Sequence, residues 1–207
     1  ETVFQVAPTV EEGNISRVWT FGNGADGHLV ITFLDTATDR YRAEVHPLPL
    51  TRFAGGSGTE SDPYLIATAG DLQQMQKFPS AHYRLACDID ATQMVLTGSD
   101  AEFTGTFDGN RKVIQNLRLS GNNCSLFGNV VGDAERTVPQ ISDFSVVNAT
   151  LFPTGQGNCS LLASTTLQHV GIENVHVYGL QAEDESFNGS FGGLVGTASV
   201  YTTVTGC

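Results

Sequence analysis

The stretch "FTGTFDGNRKVIQNLRLSG", residues 103–121, decides the fold class of this chain. Residues 108–110, Asp-Gly-Asn, are a tight-turn signal, because glycine accepts positive φ and Asp and Asn side chains bond to nearby backbone. After the turn, apolar and polar residues alternate in part, which predicts a strand with one buried face. The apolar positions are Val113, Ile114, Leu117 and Leu119.

A short motif of this strand returns along the chain. It consists of a branched residue, a variable residue, Asn or Asp, and an apolar residue. The copies are Ile114-Gln-Asn-Leu117, Ile141-Ser-Asp-Phe144 and Ile172-Glu-Asn-Val175, with Val204-Thr-Gly-Cys207 as a weaker copy. The first interval, from Ile114 to Ile141, is the shortest, and the later two are nearly equal.

A second motif is interleaved with the first, as "CSLFG" (124–128), "CSLLA" (159–163) and "GGLVG" (192–196), again at nearly equal intervals. Two motifs in the same order with similar periods indicate stacked supersecondary units. Because the repeats are rich in Gly, Ser, Thr, Asn and Val, they favour short strands. We therefore predict an all-β fold, a parallel β-solenoid, with a β-propeller as the alternative.

The alignment predicts which side chains stack inside such a solenoid. One inward ladder would contain Leu126, Leu161 and Leu194, and a second would contain Ile114, Ile141 and Ile172. Cys124 and Cys159 share one motif position, so their Cα atoms would lie about 4.8 Å apart in neighbouring strands. That distance allows a disulfide, but parallel side-chain directions disfavour its geometry and favour a ladder of free thiols.

The N-terminal part and the segment that follows it have different patterns. Residues 1–50 predict a small antiparallel β meander, with strands at 15–21, 28–34 and 40–46. Thr68-Ala-Gly-Asp71 has the form of a capping box, and it predicts a helix over 69–78. Its apolar face would contain Leu72, Met75 and Phe78, and it would cover the open end of the solenoid.

A family resemblance covers residues 53–207. "FAGGSGTESDPYLIATAGDLQQM" (53–75), "YRLACDID" (83–90), "FTGTFDGN" (103–110) and the SLFG/GGLVG repeats resemble bacterial surface proteins with GLUG-motif repeats. The resemblance implies a right-handed β-helix behind a cap and a secreted or cell-surface location. Ala163 departs from the motif. Since Cys207 falls inside a repeat, we expect the solenoid to be truncated there.

The composition of the chain disfavours some classes of binding partner. The chain has 207 residues, of which only 15% are charged, a net charge of −12 and a pI of about 4.6. Nucleic acid and anionic membranes are disfavoured, because binding them requires clustered Lys and Arg. No stretch approaches 18 uninterrupted apolar residues, so we expect no membrane insertion.

Four aspartates are the candidate ligands for a metal ion, because some β-helix polysaccharide lyases hold Ca²⁺ with acidic clusters. They are Asp88, Asp90, Asp108 and Asp143. The alternative is that they cap turns by accepting backbone N–H bonds, and this is the favoured interpretation. The histidines at 28, 46, 82, 169 and 176 form no metal or catalytic motif. We therefore predict no catalytic, metal or cofactor residues and no enzyme activity.

The predicted function is a non-catalytic structural or adhesive module of a secreted or cell-surface bacterial protein. Its variable segments, 128–140 and 178–191, would bind a host-cell or matrix protein or a glycan. The acidic run Glu183-Asp184-Glu185 is interpreted as a solvated loop, with a site for a cationic partner or a divalent ion as the alternative. Further repeats of the same chain are the other expected partner. The alternatives are a carbohydrate-active β-helix enzyme and the scaffold of a larger secreted enzyme.

Overall fold

The computed structural model describes residues 2–6, 15–23, 26–35, 40–48, 53–135, 140–183 and 187–207. In these ranges the protein is mostly β, with parallel strands in its larger part and one short α-helix. The chain divides into two units, residues 1–52 and 53–207.

The first unit is a four-stranded antiparallel sheet in the order β1-β2-β3-β4. Its strands are β1 (Thr2–Val6), β2 (Ile15–Asn23), β3 (Asp26–Asp35) and β4 (Arg40–Leu48). The three strands predicted at 15–21, 28–34 and 40–46 lie within β2, β3 and β4. The sequence interpretation did not include β1, which pairs with β2.

The second unit begins with β5 (Tyr64–Ile66), helix α1 (Ala69–Gln74), a 3₁₀ turn (Met75–Lys77), β6 (His82–Leu85), β7 (Ile89–Asp90), β8 (Leu96–Thr97) and β9 (Glu102–Phe103). It continues with β10 (Thr106–Gln115), β11 (Arg118–Gly121), β12 (Gly128–Val131), β13 (Ile141–Pro153) and β14 (Asn158–Ser160). It ends with β15 (Ala163–Leu167), β16 (Gly171–Ala182), β17 (Ser190–Gly192), β18 (Val195–Ala198) and β19 (Thr203–Thr205).

These strands form three sheets in which the named strands pair in parallel. The largest has the path β19-β16-β13-β10-β6-β5, with β7, β8 and β11 attached to it. A second sheet has the order β18-β15-β12-β9, and β14 pairs with β17 in a third. From β13 onward, the chain passes through the largest, the third and the second sheet in turn, and then repeats that order.

Left-handed residues bend the long strands at two places. The first bend contains Asp143 (φ 60°) and Asn174 (φ 52°), and the second contains Asn116 (φ 56°) and Asn148 (φ 57°). Asn and Asp tolerate this conformation better than other residues with a Cβ, because their short side chains can bond locally. The Asn or Asp of the first motif is therefore the residue that turns the strand.

The predicted isoleucine ladder is wrong at Ile114. Ile141 pairs with Ile172, and Ile172 pairs with Val204, as the alignment required. Ile114, however, pairs with Val146, while Ile141 pairs with Phe107 on its other side. The motif copy at 114–117 contains the second bend, whereas the later copies contain the first bend. The alignment of Ile114 with Ile141 therefore compared two different bends, which is why that interval is the shortest.

The predicted leucine ladder is wrong at its last member. Gly128 pairs with Ala163, which places Leu126 opposite Leu161 as predicted. In the next pair of strands, Ser160 pairs with Gly192 and Ala163 pairs with Val195. The motif alignment placed Ala163 opposite Gly196, so the observed register differs from it by one residue. Leu194 therefore lies opposite Leu162, whose N–H donates to the Leu194 carbonyl at 3.0 Å.

One continuous apolar core lies between the sheets. Leu161, Ile114, Ile141 and Ile172 are at most 1% exposed. Aromatic rings form a chain of contacts through this core, with centroids 5.0 to 6.2 Å apart, in the order Tyr83, Phe103, Phe127, Phe107 and Phe144. Burial and the nearby Tyr64 raise the pKa of Tyr83. Its hydroxyl donates to the Phe78 carbonyl at 2.6 Å.

The capping box is confirmed. The Thr68 hydroxyl accepts from the Asp71 N–H, and the Asp71 carboxylate accepts from the Thr68 N–H. The α-helix is shorter than predicted, because it passes into the 3₁₀ turn at Met75. The helical run then stops at Phe78, which precedes Pro79 and adopts φ −134°. Leu72 and Met75 are buried and Phe78 is half-buried against the core, so the predicted apolar face packs inward.

Glycine is required in the "FTGTFDGN" stretch by close packing. A Cβ at Gly105 would collide with the Ala81 carbonyl oxygen. The flanking Phe103 and Phe107 are both buried. The Phe-x-Gly-x-Phe spacing therefore places two rings in the core on either side of a position where two backbone segments touch.

Candidate functional site

A groove of about 310 Å³ opens to solvent on the outer face of the largest sheet. It is lined by Arg111, Asp143, Phe144, Ser145, Asn174 and His176. These residues come from the neighbouring strands β10, β13 and β16 at the first bend. Since side chains alternate along a strand, the buried Phe144 and Val175 point to the core, and Ser145 and His176 point outward.

A β-bulge in β10 presents Arg111 to this groove. Asp108 pairs with Ser142 and Lys112 pairs with Phe144, so residues 109–111 lie opposite the single residue Asp143. Asn110 (φ 49°) and Arg111 (φ 57°) are both left-handed, a conformation that costs about 1–2 kcal/mol for an ordinary residue. Bulges of this kind redirect side chains. Arg111 is exposed, and its guanidinium has no hydrogen-bond or ion-pair partner among the described residues.

The other side of the groove contains groups of mixed character. The Asn174 side-chain amide donates to Asp143 Oδ1 at 3.1 Å, and this bond holds the carboxylate at the rim. Ser145 and His176 are register partners on β13 and β16. Two residues beyond His176, Tyr178 lies on the same outward face and is 59% exposed.

The groove can therefore offer several kinds of hydrogen bond to one ligand. Arg111 supplies donors, Asp143 supplies acceptors, and Ser145, Asn174 and His176 can do both. The sequence interpretation included Asp143 and His176 but missed Arg111 and Tyr178. The signal for Arg111 was the extra Asn110-Arg111 pair after the Asp-Gly turn, which the later copies of the bend lack.

The four candidate calcium ligands do not come together. Asp88 accepts from the Val113 N–H at 2.9 Å, and Asp108 accepts from the Asn110 N–H at 2.7 Å and forms an ion pair with Arg84 at 3.3 Å. Hydrogen bonds from the Thr92 hydroxyl, the Asn116 amide and the Thr92 N–H lower the pKa of Asp90. The prediction that these aspartates cap turns by accepting backbone N–H bonds thus holds for Asp90 and Asp108. Asp88 accepts its backbone bond from another strand, and Asp143 accepts from the Asn174 side chain. No group of three or more His, Cys, Asp or Glu side chains in the described ranges could hold a metal ion.

The histidines are dispersed, as the sequence indicated. His82 Nδ1 lies 2.8 Å from Thr106 Oγ1, and the His169 ring stacks on Tyr201 with centroids 4.6 Å apart. Of the three histidines whose side chains are described, His176 is the one that lines the groove. His28 and His46 lie in strands β3 and β4, and their side chains are outside the described part of the structure.

The cysteines occupy two environments. Cys124 and Cys159 are fully buried free thiols in neighbouring positions, in agreement with the favoured thiol ladder. A hydrogen bond with Cys124 and burial raise the pKa of Cys159. Cys87 and Cys207 are exposed free thiols.

The two variable segments are shorter loops than predicted. Residues 128–131 form β12, and residues 178–182 are the end of β16. The outward loops therefore begin at Gly132 and Glu183. Asp184 and Glu185, which follow Glu183 in the acidic run, lie outside the described residues, so the alternative of a cation site there stays a hypothesis.

Two curated proteins are similar to this chain. Halomucin from Haloquadratum walsbyi is 30% identical over 161 residues, which is 70% of this chain and 2% of halomucin. A protein from Evansella cellulosilytica with the provisional name of a Gly-rich membrane protein is 32% identical over 142 residues, 60% of this chain and 15% of the relative. The chain thus spans only a small part of each relative's length.

No family model matches the chain, and no solved structure matches it. A helix long and apolar enough to cross a membrane does not occur in the described ranges.

Proposed function

We propose that residues 53–207 form a right-handed β-solenoid that serves as a non-catalytic structural or adhesive module of a secreted or cell-surface bacterial protein. The solenoid core gives the module stiffness, and its outer faces and loops are the surfaces for binding. In this proposal the GLUG-like motifs supply the bends and inward residues of each solenoid turn.

One observation carries the proposal. The chain passes through the largest, the third and the second sheet in the same order twice, and each strand of the first pass pairs in parallel with its counterpart in the second. This order of strands supports a chain that winds around a common axis, as a solenoid does. Parallel crossover connections are right-handed in about 98% of cases, which supports the handedness.

The relatives support a surface location. One bears the name halomucin, and the other is named as a Gly-rich membrane protein. The net charge of −12 is compatible with this location, because a strongly acidic surface keeps an exposed protein soluble. The activities of the complete relatives are not carried over, since this chain matches so little of either.

The role of the aspartates favours binding over catalysis. Asp88, Asp90 and Asp108 are each engaged by backbone or side-chain donors. A hydrolase or lyase needs carboxylates placed around a substrate, with a separation of about 5–10 Å in glycosidases. Aspartates committed to turns are poor candidates for that role.

The full chain, coated on beads, tests this function. Retention under flow on surfaces bearing matrix proteins or neutral and acidic polysaccharides is the expected result, with no release of soluble products from any of them. A chain that releases oligosaccharides or peptides would be the enzyme of the alternative hypothesis. A chain that neither adheres nor cleaves would be a passive scaffold.

A further inference from the structure

We propose that the groove beside Arg111 binds a sugar unit of an uncharged polysaccharide. The inference rests on the proposed adhesive function and assigns it a site and a class of ligand. It is carried by the groove's polar lining, by Arg111, whose side chain has no partner among the described residues, and by the exposed ring of Tyr178 on the same face.

The polar groups of the groove match hydroxyl groups. A sugar hydroxyl both donates and accepts, so a chain of hydroxyls needs donors and acceptors side by side. Arg111 provides donors from β10, and Asp143 provides acceptors from the neighbouring strand β13. Ser145 and His176 lie on the same face of the sheet. Neighbouring hydroxyls of one sugar ring can bond to a guanidinium on one side and a carboxylate on the other.

The charges favour an uncharged ligand. Asp143 lies in the groove itself, so a carboxylate or sulfate bound to Arg111 would also face a like charge. The whole chain carries a net charge of −12, which repels polyanions at long range. A neutral sugar can use both Arg111 and Asp143 without this cost.

The shape of the groove favours a saccharide over a peptide. Peptides bind by adding a strand to a free sheet edge or by inserting apolar anchors into pockets. Here β13 is paired on both sides, and the groove is lined mainly by polar side chains. An open groove on a sheet face leaves room for a polymer to continue past the site at either end.

Tyr178 supplies the apolar contact that saccharides use. An aromatic ring with an exposed face can pack against the C–H face of a sugar ring, while its hydroxyl stays available for hydrogen bonding. Tyr178 is 59% exposed and follows His176 on β16. A sugar bonded to Arg111 and His176 would have its neighbour in the polymer over this ring.

The conformation of Arg111 fits a role in binding. Its left-handed backbone costs folding free energy, and the side chain gains no partner in the described part of the chain. By contrast, Arg84 pairs with Asp108, and Arg118 lies over the Phe152 ring at 5.1 Å. Arg111 is thus an exposed guanidinium at the groove that no described residue engages.

The test is a titration of the isotope-labelled full chain, followed by two-dimensional amide NMR. The probes are cello-, malto-, laminari- and xylo-oligosaccharides as neutral ligands, with oligogalacturonate and chondroitin sulfate oligosaccharides as charged ones. We expect at least one neutral series to shift the amides of residues 111, 145, 176 and 178. Shifts confined to other residues, shifts with the charged probes alone, or no shifts with any probe would overturn the proposal.

Paired variants separate this site from general surface effects. Arg111→Gln and Tyr178→Ala should each weaken binding by about tenfold, the loss of one good contact. The controls are Arg118→Gln, which removes the same charge, and Tyr201→Ala, which removes another exposed ring (70% exposed). They should bind as the wild type does. Equal losses in the controls would contradict the proposed site.

The same variants distinguish failure of the site from failure of the proposed function. If Arg111→Gln and Tyr178→Ala leave bead retention unchanged, the module adheres through another surface and only the site is wrong. If the wild-type chain is not retained on any coated surface, the adhesive function itself is wrong.

Discussion

The Gln73 side chain bonds to the backbone of Thr97 as a neighbouring strand would. Gln73 Oε1 accepts from the Thr97 N–H at 2.6 Å, and its Nε2 donates to the Thr97 carbonyl at 3.4 Å. Gln76 Nε2 also donates to that carbonyl, at 2.6 Å. Thr97 belongs to β8, which pairs with β11 on its other side. Helix α1 thus covers apolar core with one face and satisfies a strand edge with its amide side chains.

Gln73→Ala should expose this edge. The variant loses two hydrogen bonds, and we expect the free energy of unfolding to fall by about 0.5–2 kcal/mol. Hydrogen exchange should become faster at the Thr97 amide in particular. Gln74→Ala, one residue further along the same helix, is the control, because no hydrogen bond of its side chain occurs in the described structure. Equal protection of Thr97 in the two variants would show that Gln73 does not cap the edge.

Leu161→Ala tests the corrected stacking of the second motif. Leu161 is fully buried, and its backbone bonds to Leu126 on one side and to Gly193 on the other. Truncation of its side chain should therefore lower the free energy of unfolding by about 2–5 kcal/mol. Leu194→Ala is the matched control: Leu194 is half-buried, and its loss should be clearly smaller. Urea unfolding of both variants gives the comparison. Similar losses of stability in the two variants would show that Leu161 and Leu194 are equivalent, as the original motif alignment predicted.

The sequence predicted the stacked parallel strands but not their full register. Inward residues and turn residues repeat at recognisable intervals, so Ile141, Ile172 and Val204 could be aligned correctly. Two bends, however, use the same left-handed Asn or Asp between apolar residues. Ile114 could therefore be aligned with Ile141 on local pattern alone, although pairing across the sheet places it beside Val146.

The candidate site was less predictable than the fold. Asp143 was recognised as a turn residue, but whether Arg111 and His176 meet depends on the bulge at 109–111 and on the pairing of β13 with β16. Both are properties of the assembled sheet. An exposed Tyr178 can be recognised from sequence only after the inward and outward positions of β16 are known.

Acidification should weaken the turn held by Asp90. Its bonds favour the carboxylate and hold the folded-state pKa of Asp90 below its ordinary value. The contribution to stability is therefore present above the unfolded-state pKa, and it is lost as the pH falls through the folded-state pKa. An NMR pH titration of the Asp90 carboxyl carbon measures the folded-state value.

Thr92→Val identifies the cause of that shift. The Thr92 hydroxyl donates to Asp90 Oδ1 and is its largest stabilising contact, while the Thr92 N–H remains in the variant. We expect the pKa of Asp90 to rise toward its ordinary value in Thr92→Val. Thr154→Val, at an exposed threonine outside this turn, should leave that pKa unchanged. An unchanged pKa in both variants would remove the hydroxyl as the cause.

The four thiols should fall into two classes of reactivity. Cys87 and Cys207 are exposed and should be alkylated rapidly by iodoacetamide in the native protein. Cys124 and Cys159 should react only after unfolding, because both are buried and the pKa of Cys159 is raised. Peptide mass spectrometry before and after denaturation measures each site. A Cys124–Cys159 disulfide in the protein as purified would contradict the thiol ladder.

Asn148 is the residue through which the second bend can be tested. It adopts φ 57° with an exposed side chain, so alanine there should cost about 1–2 kcal/mol relative to glycine, which has no Cβ to strain. We expect Asn148→Gly to unfold close to the wild type and Asn148→Ala to be less stable in urea. The control pair is Gln115→Ala and Gln115→Gly, at an exposed strand position outside the left-handed region. Their order should be reversed, because glycine in a strand costs about 0.5–1 kcal/mol relative to alanine. If alanine is the more stable replacement at both positions, residue 148 is an ordinary strand position and the second bend is misassigned.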